Sequence, residues 1–147
     1  MLVLGIESSC DETAAAVVED GHIVHSNVVA SQDELHIEYG GVVPEIASRA
    51  HVERMLPVIE QAISQANITP SELDGIAVGN RPGLIGALLV GVTAAKSIAW
   101  SLNIPFVAVD HVLAHLYAPN LGDSQIEYPA LGLVVSGGHT SILNLAS

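Results

Sequence analysis

Near the start of the chain, apolar and polar positions alternate in the manner of strands with one face buried. Leu2 to Ile6, Ala14 to Val18 and His22 to Val29 each follow this period, and Glu19-Asp20-Gly21 reads as a tight turn between the last two. The pattern predicts a three-stranded antiparallel meander. From Pro44 the period lengthens: Val52, Met55, Leu56, Ile59, Ala62, Ile63 and Ala66 recur at helical spacing and are expected on one inward face. Pro57 interrupts that run, which predicts a kink or two abutting helices. The Tyr39–Glu45 stretch ahead of the helix reads as a flexible loop that could act as a lid.

Asp74 to Gly79 is a short apolar strand, Leu84 to Ser101 a nearly all-apolar helix, and Pro105 to Val109 a further strand, expected to be buried. Strands alternating with helices imply right-handed crossovers and parallel pairing. Asp110 to Ala118 predicts a short helix stopped by Pro119, and Ala130–Val135 and Thr140–Leu145 predict two strands around Ser136-Gly137-Gly138-His139. The order up to Ala118 resembles that of the ribonuclease-H-like domain shared by actin, 70-kDa heat-shock proteins and sugar kinases. The expected class is therefore α/β, with a mixed five-stranded sheet flanked by helices. In that architecture a second, similar domain follows. The expected division is residues 1–120 as the first actin-like domain and 121–147 as the opening of a second, largely missing one. A self-contained five-stranded α/β domain fits the pattern as well.

Composition adds an unbalanced surface. The mean hydropathy is +0.48 and only 14% of residues are charged, which leaves too little polar surface to enclose the molecule. A covering surface is expected: the rest of a longer protein, a homologous subunit, or a second copy in a homodimer. The apolar stretch from Leu84 to Val109 is broken by Lys96, Ser97, Ser101, Asn103 and Pro105, so a buried helix is expected there and not a membrane span. With no secretory pattern at the start and Cys10 as the only cysteine, a cytoplasmic protein is expected. The formal charge of −12 repels phosphate backbones. If RNA is a substrate, this segment does not grip it.

Four segments could carry chemistry. His111 and His115 stand four residues apart, so on a helix both imidazoles project from one side and can bind one metal ion, with a third ligand from elsewhere. Such spacing also arises in ordinary surface or core histidines, and no Glu follows His111 as zinc peptidases require. The loop Glu7-Ser8-Ser9-Cys10-Asp11-Glu12-Thr13 could cradle phosphate or orient a nucleophile, and reads equally as a capped polar hairpin. The paired glycines of Val135-Ser136-Gly137-Gly138-His139 could let a phosphate approach the backbone, or simply make a tight turn. Gly79-Asn80-Arg81-Pro82-Gly83-Leu84 opens a helix whose first N–H groups could meet an anion.

Taken together, GIESSCDETAAAVV, YGGVVPEIASRAHVERMLPVIEQA, RPGLIGALLVGVTAAKSIAW, VDHVLAHLYAP and PALGLVVSGGHTSIL resemble, in order, one family. It is the universal tRNA threonylcarbamoyltransferase subunit, long known as O-sialoglycoprotein endopeptidase. The resemblance implies an enzyme that moves threonylcarbamoyl from threonylcarbamoyl-AMP to N6 of the adenosine beside the anticodon. It implies His111 and His115 as ligands of a catalytic iron or zinc ion, and Ser9, Val134, Val135, Ser136, Gly137 and Gly138 as the pocket for the adenylate or another adenine nucleotide. Asp11 and Glu12 would assist transfer. Implied partners are tRNA, a homologous scaffold subunit and an accessory ATPase.

Departures accompany the likeness. Full-length relatives take a further metal-ligating aspartate and most adenosine contacts from a second half, so the isolated chain is expected to be inactive. Arg81 stands where the family has glycine in Gly-Pro-Gly-Leu, and Val134 where some relatives have a tyrosine that reaches the metal. The alternatives are a non-catalytic scaffold paralogue, which lacks the His pair, a metallopeptidase as in the older label, and half of a sugar or acetate kinase.

Overall fold

The computed structural model describes residues 1–122, 126–136 and 140–146. The meander forms as β1 (Leu2–Glu7), β2 (Glu12–Glu19) and β3 (Ile23–Ser31), paired antiparallel, with Asp20 and Gly21 both at positive φ in the connecting turn. Next come a one-turn helix α1 (Asp33–His36), α2 (Pro44–Gln65), β4 (Gly75–Arg81), α3 (Ile85–Leu102), β5 (Phe106–Asp110) and α4 (His111–Tyr117). Strands β4 and β5 add parallel to β1, giving the sheet order β3-β2-β1-β4-β5. This mixed five-stranded sheet with its flanking helices is the ribonuclease-H-like, actin-type α/β fold. β6 (Ala130–Val135) and β7 (Thr140–Leu145) form a separate antiparallel pair.

One face of the sheet makes the core. Leu4, Ile6, Ala15, Val17, Val28, Ile76 and Val78 are all buried, against Met55, Val58, Ile59 and Ala62 of α2 and Ala95 and Ala99 of α3. β1 is central because β2 pairs along one edge and β4 along the other.

Several expectations change. Pro57 does not divide the helix: α2 runs continuously through it, as a proline can when neighbouring turns hold the chain. Its inward face is also rotated. Val52 and Leu56 point outward, at 66% and 60% exposure, while Ala47, Ala50 and His51 take the inward places. The expected loop at Tyr39–Glu45 is shorter: a 3₁₀ turn covers Ile37–Tyr39, Gly40 reverses the chain at positive φ, and α2 already begins at Pro44. α3 is not buried all round. Ala87, Gly91, Ala95 and Ala99 form its packed stripe, whereas Ile85, Leu89 and Trp100 are exposed. The helix is long and apolar enough to cross a bilayer by length and composition alone, and here that stripe seats it on the sheet. β5 is an edge strand whose Phe106 and Val107 are exposed, because among the described residues nothing covers its outer side.

Candidate functional site

β1 carries the chain to the C-terminal end of the parallel strands, where residues 8–11 cross to β2. That loop is fastened at almost every residue. Ser8 Oγ donates to the Ala87 carbonyl (2.9 Å), and the Leu84 N–H donates to the Ser9 carbonyl (2.7 Å). His51 Nε2 lies 3.1 Å from the Cys10 carbonyl, and the Gln32 N–H donates to the Asp11 carbonyl (3.0 Å). Gly83 permits the close approach of α3's entry turn: a Cβ there would stand 2.6 Å from the Ser9 carbonyl oxygen. The loop is thus bound to α2, α3 and the segment after β3, which holds Asp11 and Glu12 at a defined place.

His51, fully buried, was not legible as a site residue. Its Nδ1 is 2.7 Å from Thr13 Oγ1, and because the Cys10 carbonyl can only accept, Nε2 carries the proton and Thr13 donates. Burial pushes its pKa down, so it stays neutral. Partial desolvation, then the neighbouring Asp11 carboxylate, push the Cys10 thiol up to about 11 even though the residue reaches the surface. A thiol so placed is a poor nucleophile at neutral pH.

β5 ends at Asp110, whose Oδ1 caps α4 by accepting the Val112 and Leu113 N–H groups at 3.0 and 3.2 Å. The same carboxylate pairs with Arg81 at 3.4 Å, so the family's glycine position here carries an arginine directed to the strand end. The cap fixes the first turn of α4 and with it His111. His111 and His115 meet edge to face, ring centroids 4.4 Å apart, with their Nε2 atoms at 3.1 Å. Two ligand nitrogens about 2.0–2.1 Å from one tetrahedral ion stand about 3.3 Å apart, so the pair fits a shared metal. Among the described residues no group of three or more His, Cys, Asp or Glu could hold an ion. A third ligand would have to come from outside them.

The sequence-predicted residues largely converge. Ser9, Asp11, Glu12, His111, His115 and Ser136 line one cleft of about 550 Å³. Val134 and Val135 line an adjoining cleft of about 600 Å³, which shares His111, His115 and Ser136. Gly137 and Gly138 lie outside the described residues. Glu7, missed as an individual residue, faces the same cleft.

Comparison with known proteins bears on this arrangement. The chain is 61% identical to a tRNA N6-adenosine threonylcarbamoyltransferase of Treponema denticola and 56% identical to one of Protochlamydia amoebophila. Each match covers 97% of this chain but 42% of the relative, so the chain spans well under half the length of the proteins it matches. Among solved structures, YeaZ from Pseudomonas aeruginosa superposes with a TM-score of 0.55 at 21% identity, covering 75% of this chain and 45% of that one. A second protein, described as similar to peptidase YEAZ, gives 0.57 at 23%, covering 77% and 45%. These likenesses concern the fold alone. The TsaD sequence profile, described as tRNA N6-adenosine threonylcarbamoyltransferase, matches residues 23–146, and with that match the chain belongs to the TsaD family.

Proposed function

We propose that this chain supplies the metal-holding part of a threonylcarbamoyl transferase, which passes the threonylcarbamoyl group from threonylcarbamoyl-AMP to N6 of a tRNA adenosine. The observation that carries the reading is the convergence of His111 Nε2 and His115 Nε2, 3.1 Å apart, on a cleft that also holds Ser9, Asp11, Glu12 and Ser136. His111 and His115 would hold one iron or zinc ion. When bound, such an ion polarises the acyl phosphate and neutralises charge growing on the departing AMP.

The chain's own residues do the rest. The fastened 8–11 loop keeps Asp11 and the adjoining Glu12 in place, where a carboxylate takes the proton shed as the N6 amine bonds to the carbamoyl carbon and AMP leaves. The cleft beside Val134 and Val135, about 600 Å³, has the size of a small-molecule site and would take the adenylate. The acidic segment does not grip tRNA. That role falls to the rest of the protein and to partners such as a homologous scaffold subunit and an accessory ATPase, and turnover by this chain alone is not expected.

The test is a chimera in which residues 1–147 replace the matching segment of the Treponema denticola relative, expressed in cells depleted of their own enzyme. Nucleoside mass spectrometry of their tRNA is expected to detect threonylcarbamoyladenosine with the chimera. His111→Ala and His115→Ala versions are expected to lose it. Full modification by either variant would refute the metal role.

A further inference from the structure

Glu7 ends β1, and one of its carboxylate oxygens is hydrogen-bonded while the other comes close to an imidazole. Oε1 accepts the Ser9 N–H at 2.5 Å, and Oε2 lies 3.3 Å from His111 Nδ1. The seat depends on Gly79 of the neighbouring β4: a Cβ there would collide with Glu7 Oε2 and stand 3.2 Å from its Cδ. Three elements far apart in sequence therefore combine to aim one carboxylate at the back of one imidazole.

The back of that ring decides what its front can do. A neutral imidazole carries one proton, and an ionised carboxylate can only accept. With the proton on Nδ1 facing Glu7, the lone pair falls on Nε2, the atom that faces His115 Nε2 at 3.1 Å. Metal-binding histidines commonly donate their second ring N–H to a carboxylate, which fixes tautomer and orientation. The hydrogen bond at His111 Nδ1 runs to Ser9 Oγ at 3.2 Å, and Glu7 Oε2 meets the same nitrogen as a charge contact. If the Ser9 hydroxyl donated there, the proton would sit on Nε2 and block it as a ligand.

We propose that Glu7 is the positioning residue of the histidine pair: its carboxylate holds His111 in the Nδ1–H form and turns Nε2 toward His115. The claim rests on the metal reading of the pair above, yet it also makes a statement about the metal-free protein. Long-range ¹H–¹⁵N spectra of the metal-free chain in mildly alkaline buffer read the tautomer directly. Wild-type His111 is expected to be chiefly Nδ1–H, and Glu7→Ala to move it toward Nε2–H. Titration with zinc alone is expected to show binding that His111→Ala abolishes and Glu7→Ala weakens about 10- to 100-fold.

The near-isosteric Glu7→Gln serves if the alanine variant fails to fold. Its amide can donate as well as accept, so a mixed tautomer and zinc binding about 10-fold weaker are expected. Gly79→Ala, which crowds the carboxylate, is expected to act in the same direction. A wild-type proton on Nε2, or a tautomer and zinc affinity unchanged by every Glu7 variant, overturns the assignment. Zinc binding lost in His111→Ala but untouched in the Glu7 variants leaves the metal reading standing and removes Glu7 from it. Tautomer control by Glu7 in a chain that binds no zinc sinks the metal reading and keeps the positioning.

Discussion

Replacing Thr13 with valine tests whether the loop beneath the site is held by a buried polar joint. Thr13 and His51 are both at 0% exposure, and the Thr13 hydroxyl lies 2.7 Å from His51 Nδ1. Valine keeps the volume but strands that buried nitrogen without its donor. Leaving one buried acceptor unpaired costs about 1–3 kcal/mol. For a domain of this size that corresponds to a fall in melting temperature of roughly 4 °C per kcal/mol, so about 4–12 °C. Urea unfolding followed by circular dichroism is the assay, with the midpoint moving and the slope unchanged. Thr13→Ser keeps the donor and loses one buried methyl, so it is expected to cost about 1 kcal/mol. A valine variant within about 0.5 kcal/mol of wild type, well inside the range of neutral substitutions, would refute the joint.

Three further outcomes follow. Because burial lowers the pKa of His51 in the folded state, the unfolded chain binds more protons just below the ordinary value of ~6.5. Stability is therefore expected to be flat above that pH and to fall as pH drops through the window beneath it, a component missing from His51→Leu in urea titrations across pH. Asp110→Ala removes the α4 cap and is expected to cost about 1 kcal/mol, seen as faster hydrogen exchange at Val112 and Leu113 and weaker zinc binding. Leu4→Ala hollows the middle of the central strand, where Leu4 is at 0% exposure, and is expected to cost about 2–5 kcal/mol in the same denaturation assay.

The sheet was legible because alternation in β1, β2 and β3 and the apolar runs of β4 and β5 are local signals that depend on burial alone. The face of α2 was not. Met55, Ile59 and Ala62 do face inward, but an inward histidine and two inward alanines carry little hydropathy, so Val52 and Leu56 were read onto that face in their place. The four residues of α1 are too few to show a period. His111 and His115 were readable because their spacing is helical and local. Glu7 and His51 were not, since their roles depend on Gly79 and Thr13, and nothing short of the packed fold brings Glu7 to His111. β5 looked buried from composition, yet burial of an apolar strand depends on what lies beside it, and its outer edge is open among the described residues.

X-ray absorption of the zinc-loaded chain probes the paired imidazoles most directly. Two nitrogen neighbours at about 2.0–2.1 Å, with imidazole outer-shell scattering that disappears in the His111→Ala, His115→Ala double variant, are expected. A zinc spectrum without imidazole, or one that the double variant leaves unchanged, would contradict the account.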